Sequence, residues 1–285
     1  MKRRKKKSMG LYQGCILLIL LLACVTMVYP FVYIFSASLT EGHTYFTEGI
    51  LLFAKDLTME NYAAVLEMKN IWQSTVISVS RTILGTVLSV LLMAMLAYAL
   101  CDKELPGRSF FVKYFFLTTI LNGGMIPYVI VLQNMNLMNS YWVYIIPAIY
   151  SFYNMIIIRT NFESIPISIV EAAKLDGVGE LRMFFKIYMP LAKPGLVVVA
   201  MYTAIFHWND WFAGAYYVTN AKMKPLATVL QELVMNSGAG TASSAIADST
   251  TIMAFTVLMI LPIVLVYPFL QKYFVDGVAI GSIKE

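Results

Sequence analysis

The chain has 285 residues, of which 59% are apolar and only 13% charged, with a formal net charge of +5. Soluble domains are about half apolar and a quarter charged, so this composition excludes an ordinary water-soluble fold and places the chain in a bilayer. The positive balance is concentrated in Lys2-Arg3-Arg4-Lys5-Lys6-Lys7, which abuts an apolar stretch and so reads as a cytoplasmic topology anchor, not as a nucleic-acid patch.

A bilayer core takes about 20 mainly apolar residues per helix. Six segments qualify, over 15–35, 76–100, 110–132, 142–158, 196–218 and 252–274. Each is continuously apolar and does not alternate, which predicts helices and not a barrel. The expected fold class is therefore all-α integral membrane. A basic N-terminus covers 1–14, a six-helix membrane domain 15–274 and a cytoplasmic tail 275–285. The first span is longer than a signal-peptide core and ends without a small-x-small site, so it is kept as a membrane helix. Cys15, Cys24 and Cys101 show neither disulfide nor metal spacing.

After the first span, the loop over 41–72 is polar and acidic, and residues 58–68 predict a short surface helix capped by Thr58. Arg81 falls one to two turns inside the second span. Snorkelling is its first explanation, and a gating or partner salt bridge the second. In the third span Gly123-Gly124 and Pro127 weaken the helix, as expected where backbone lines a cavity. The loop 133–140 is uncharged and Asn-rich and reads as a simple turn. Tyr141, Trp142 and Tyr144 are placed as an interfacial belt at the start of the short fourth span. The outer loop after the fifth span carries the small, flexible tract 237–244. Lys and Arg fall sixteen on one side of the membrane and four on the other, with Arg81 left within a span; both termini are thereby assigned to the cytoplasm.

The longest inner connection, 159–194, is the most informative. Pro166 stops what precedes it. Ser168 and Glu171 have capping-box spacing, and Gly177 suits the left-handed position that closes a helix of about eight residues. So short a helix is not stable alone in water and must rest on something. The face with Ala172, Ala173 and Leu175 is small enough to enter a groove on another protein. A second amphipathic stretch, 179–189, follows.

Polar residues within spans are the default functional candidates. By helical rise, Asn122, Tyr150 and Asn154 lie about halfway along their spans. His207 lies near the middle of the fifth, with Trp208, Asn209, Asp210 and Trp211 up to one turn further out. Asn, His, Asp and Trp together supply the hydroxyl partners and apolar faces that a sugar needs. Alternatives stay open at each. Trp208 and Trp211 can face lipid or a partner, His207 can be a helix-packing group, and Asp210 can pair with an arginine or amide across a subunit boundary.

The run Glu171-Ala172-Ala173, then Gly177, Ile187 and Pro190, resembles the EAA loop of permease subunits of bacterial ATP-binding-cassette importers. That pattern is EAA, three residues, Gly, nine residues, Ile, one residue, Leu-Pro; here Met189 stands in place of the Leu, a near-isosteric swap. Leu96-Ala97-Tyr98-Ala99-Leu100 with Leu105-Pro106-Gly107-Arg108 is similar to carbohydrate-uptake permeases of the maltose type. Phe206-His207-Trp208-Asn209-Asp210-Trp211 and the ending Tyr267-Pro268-Phe269-Leu270-Gln271-Lys272-Tyr273-Phe274 resemble permeases that work with lipoprotein-anchored, complex-saccharide binding proteins.

The resemblance implies that Glu171, Ala172, Ala173, Lys174, Leu175, Asp176 and Gly177 form a coupling helix that inserts into a cytoplasmic ATPase subunit. It implies two ATPase subunits, a second homologous permease, an external binding protein, a saccharide substrate and alternating access across the cytoplasmic membrane. No G-x-x-x-x-G-K-[ST] occurs in the chain, so ATP and Mg are expected on the ATPase partners, with no cofactor and no catalytic residue here. The competing readings are a permease of the same fold for a non-sugar solute and a stand-alone secondary transporter, the latter disfavoured because no inverted repeat is seen. An intramembrane enzyme built on His207 and Asp210 lacks any metal triad or nucleophile elbow.

Overall fold

The computed structural model describes residues 11–42, 44–45, 53–121, 123–237 and 242–282. The basic run from Lys2 to Lys7, His43, Asn122 and the loop positions 238–241 lie outside the described residues. The chain divides into two compact units, Met1–Met68 with Leu233–Leu258, and Lys69–Glu232 with Met259–Glu285.

In the first unit, α1 spans Leu11–Ser38, and its apolar stretch is apolar on every side and buried nowhere in the chain. A helix of that kind is covered by lipid or by another subunit. Pro30 sits inside it. The short helix expected over 58–68 is α2, Glu60–Glu67. The Glu60 amide donates to the Thr58 hydroxyl at 3.1 Å, so Thr58 caps from one position further out than the helix start requires. This helix is docked as well as exposed. Asn61 is buried and donates to the Ser38 and Thr40 carbonyls at 2.9 and 3.0 Å, while Thr250 donates to its side-chain oxygen at 2.9 Å. Among the described residues the only β pairing is a single bridge between Thr40 and Leu57.

The second unit is built around α3, Ile71–Cys101. Its buried stripe runs Ser74, Ser78, Arg81, Gly85, Ser89, Met93, Ala97, Leu100, mostly at four-residue steps and mostly small. Small residues let helix backbones approach closely where no hydrophobic drive exists between helices. The unit continues through α4 (Arg108–Ile120), α5 (Met125–Asn134), α6 (Phe152–Glu163), α7 (Ile167–Leu175), α8 (Lys193–Asn209) and α9 (Phe212–Tyr217), and α10 (Leu226–Asn236) begins in it and passes into the first unit after Glu232. The last helix, α11, covers Ala242–Ser282 and belongs to both units in turn. Met93, Ala97 and Leu100 of α3 pack with Met155, Ile158 and Phe162 of α6 and with Leu196 and Val199 of α8 to make the main core.

Among the described residues three helices are long and apolar enough to cross a membrane, and three bent helix pairs would each complete one more crossing. The third, fourth and fifth spans are all interrupted, the third where its glycines were expected to weaken it. The third breaks between Ile120 and Met125, where Gly124 takes a positive φ. The fourth begins as two 3₁₀ turns, Tyr141–Tyr144 and Ile146–Ala148, and then bends by 53° into α6, whose first turn is capped by the Ser151 hydroxyl. Pro147 lies in the middle of that turn region and cannot continue an α-helical ladder. The fifth ends at Asn209 and restarts at Phe212. The final helix does not stop at 274 but runs on to Ser282.

Two loops are more ordered than expected. In the loop 133–140, Asn136 and Asn139 adopt positive φ, and the Asn139 side-chain oxygen accepts from the Thr219 and Asn220 amides at 3.2 and 3.0 Å. The loop after residue 218 folds into a 3₁₀ turn at Ala221–Met223 and α10, with the Leu226 amide donating to the Ser78 hydroxyl at 2.8 Å.

Candidate functional site

The broken spans open a cavity of about 840 Å³ in the second unit. Its wall comes from the end of α4, the start of α5, the 3₁₀ turns, the end of α8, and α9. Tyr128, Phe206 and Phe212 present exposed aromatic rings, Tyr144 and Tyr217 lie deeper, and Thr118 and Thr119 add hydroxyls. Volume, aromatic faces and a few polar groups are what a site for a small organic solute requires.

Asp210 sits on this wall and explains the break in the fifth span. Its amide closes α8 by donating to the Phe206 carbonyl at 3.0 Å. One carboxylate oxygen accepts from the Phe212 and Ala213 amides at 3.1 and 3.4 Å and starts α9. The other accepts from Arg81 at 2.6 Å, and a second Arg81 nitrogen donates to the Asp210 carbonyl at 3.0 Å. Arg81 is fully buried, with its guanidinium carbon 4.5 Å from the centre of the Tyr144 ring. It therefore does not snorkel. Its partner lies within the same chain, 129 residues away, and not across a subunit boundary. Tyr144 is buried too, and its hydroxyl donates to the Met223 carbonyl at 2.8 Å, so it belongs to the interior and not to an interfacial belt.

Of the eight residues expected along a sugar path, Asp210 alone lines this cavity among the described residues. His207 is fully buried beside Gly85, and a Cβ at position 85 would clash with the imidazole, 2.4 Å from its Nε2. Trp208 donates to the Met259 carbonyl at 3.0 Å and borders a separate apolar hollow of about 130 Å³ with Met201, Pro262 and Tyr267. Asn209 is exposed, outside both hollows. Trp211 is half-buried and its ring meets that of Phe212 edge-on and that of Tyr216 at a tilt. Tyr150 joins the main core beside Phe115, and Asn154 is half-buried in the first turn of α6. Asn122 lies outside the described residues. Counting residues along a helix gives height but not rotation, so these groups share a depth without sharing a face. The wall residues missed by that count, Tyr128, Phe206, Phe212 and Tyr217, had only their aromatic character to mark them.

The connection 159–194 is the second candidate element. α7 begins two residues earlier than a cap at Ser168 predicts, because Pro166 takes the N-cap position, and no side chain caps it. Its end is as expected. Gly177 has a φ of 73°, the Val178 amide donates to the Ala173 carbonyl and the Gly177 amide to that of Lys174, the paired bonds of a Schellman cap. Leu175 is 89% exposed, and Glu171, Ala172 and Lys174 are exposed with it. Ala173 turns inward and is buried, so the outward face is Ala172 and Leu175 without it.

The stretch Glu180–Leu191 links α7 to the membrane core. Tyr98 of α3 donates to Glu180, and the rings of Phe184 and Tyr188 pack edge-on against Tyr98 at 5.4 and 4.8 Å. Phe162 of α6 closes the cluster at 5.3 Å from Tyr188. The stretch then bends by 82° into α8, and α8 carries Asp210 at its far end. A mechanical path thus runs from an exposed rod to the cavity wall along one helix of about 25 Å.

A family model described as a binding-protein-dependent transport system inner membrane component matches residues 2–280. The chain belongs to this family. It is an all-helical permease of the type I importer fold and a multi-pass membrane protein. Among relatives of the family, the polygalacturonan/rhamnogalacturonan transport system permease YtcP of Bacillus subtilis is 31% identical over 275 residues, covering 93% of this chain and 95% of the relative. The arabinooligosaccharides transport system permease AraQ of Halalkalibacterium halodurans is 27% identical, covering 90% and 91%. A chain from a bacterial ABC transporter involved in the import of the acidic polysaccharide alginate superposes with a TM-score of 0.83 at 29% identity, covering 96% of this permease and all of that chain.

Proposed function

We propose that this permease provides one wall of a saccharide path in an ATP-driven importer, and that α7 is where an ATPase subunit docks. Saccharides are the cargo named for YtcP, AraQ and the alginate transporter alike. The cavity beside Asp210 has the aromatic faces and hydroxyls that sugar rings engage. A second permease completes the path, two cytoplasmic ATPase subunits bind ATP and Mg, and an external binding protein delivers the sugar. The distribution of Lys and Arg supports a cytoplasmic position for both termini and for α7.

The observation that carries the docking reading is α7 itself, a nine-residue helix closed by a Schellman cap that leaves Leu175 almost wholly uncovered. Nucleotide-driven closure of the ATPase pair would move α7. The aromatic cluster around Tyr98 and Tyr188 then passes the motion to α8, and α8 moves Asp210 and the cavity wall. Access alternates between the two sides as the wall swings.

Cysteine crosslinking in native membranes tests the docking. Single cysteines replacing Ala172 and Leu175 are expected to crosslink to a nucleotide-hydrolysing subunit. A cysteine replacing the buried Ala173 is expected to stay at background. Failure of both exposed positions to reach an ATPase, in cells that still take up substrate, overturns the proposal.

A further inference from the structure

We infer that the cavity is built for uncharged saccharides and rejects acidic ones, an inference that rests on the saccharide reading above. The relatives divide on this point, since polygalacturonan and alginate chains carry a carboxylate on most sugar units while arabino-oligosaccharides carry none. The wall of this chain speaks for the second kind. Among the described residues that line the cavity there is no Lys, Arg or His, and the one ionisable carboxylate is that of Asp210. The guanidinium that could have served an anion, Arg81, is fully buried, and both its Nη atoms are committed to Asp210. The pair is internally balanced, so the wall projects neither sign strongly into the cavity.

An acidic chain entering here sheds water from each carboxylate and receives no cation from this wall in exchange. A neutral chain loses nothing comparable. Its C–H faces lie against Tyr128, Phe206 and Phe212, and its hydroxyls find Thr118, Thr119 and the Tyr128 hydroxyl.

The test uses the assembled transporter, both permeases with both ATPases, purified without its binding protein so that delivery does not decide the result. Equilibrium binding is measured for neutral arabino-oligosaccharides and for oligogalacturonates of equal length. The neutral chains are expected to bind about tenfold more tightly or better. Thr119→Lys, which places a cation on this wall, is expected to narrow that ratio at low salt and to lose the gain at high salt. The comparison on the unaltered protein decides the question even if the variant fails to fold. Oligogalacturonates binding as tightly as neutral chains overturns the inference and leaves the saccharide reading standing. Binding of neither class overturns the saccharide reading and this inference with it.

Discussion

At Gly85 a single methyl group has no room. The position lies mid-helix in α3, where glycine costs about 1 kcal/mol relative to alanine in intrinsic propensity, so alanine would be preferred if space allowed. Space does not allow it, because the imidazole of His207 fills the volume that a Cβ would take. The two residues are one packing unit at the contact of α3 with α8. Gly85→Ala is expected to destabilise the folded protein by about 1–3 kcal/mol through overpacking. Combining it with His207→Ala, which empties the contested volume, should cost less than the sum of the two single changes. Unfolding of the purified permease in detergent, followed by tryptophan fluorescence, gives the comparison. Strict additivity would remove the contact from the account. His207 was visible in the sequence as an intramembrane polar residue, with sugar contact and helix packing both open. Nothing local distinguished them, because the deciding atom is a missing one, 122 residues upstream on another helix.

The rod α7 was the most legible element, and its legibility came from its end. A glycine in the left-handed region after a small-residue run specifies a stop by backbone sterics alone, with no help from tertiary context. Its start was less legible, because Ser168 and Glu171 have capping-box spacing that Pro166 pre-empts. The membrane spans divide in the same way. Residues 76–100 carry no proline and a single glycine, Gly85, packed against His207, and they form one helix. The third and fourth spans contain Gly-Gly or Pro and break near those residues, whereas the fifth breaks at Asp210, whose carboxylate caps a new helix. A hydropathy count registers that carboxylate only as one polar residue. Gly177→Val follows from the capping geometry. Valine at a φ of 73° is strained by roughly 1–3 kcal/mol. The expected outcome is a frayed α7 end and a loss of substrate-stimulated ATP hydrolysis in the assembled transporter, with membrane insertion and basal ATPase activity retained. Full stimulation by the Gly177→Val protein would show that the cap is dispensable.

Across the second unit as a whole, one buried charge joins elements far apart in the chain. Arg81 on α3 holds the junction of α8 and α9 through Asp210 and stacks on Tyr144 of the fourth span, and Tyr144 holds the Met223 carbonyl ahead of α10. The main core fills the other part of α3, around Met93, Ala97 and Leu100, and is entirely apolar. The division is physical. Apolar packing around Met93 supplies cohesion wherever shapes match, whereas a guanidinium with two bonds to one residue permits a single arrangement. The composition of the spans foretold the apolar part. The pairing of Arg81 with Asp210 was beyond it, since the two lie 129 residues apart and the sequence offers each several partners. A buried ion pair is a modest net contributor when intact, but removing one member leaves an uncompensated charge and costs about 3–5 kcal/mol. Arg81→Met should therefore be strongly destabilising. Asp210→Asn should be destabilising for a different reason, because asparagine can still accept from the Phe212 and Ala213 amides but no longer balances the guanidinium. In the double variant no charge is stranded. Its stability is expected to lie above that predicted by adding the two losses, with a coupling of about 1–3 kcal/mol. Its transport should stay impaired, since the cavity wall loses the fixed position of Asp210. Stability of the four proteins in detergent, read against uptake in proteoliposomes, separates the two effects. A coupling near zero would mean that the pair does not hold the junction, and that α8 and α9 are positioned by the apolar core alone.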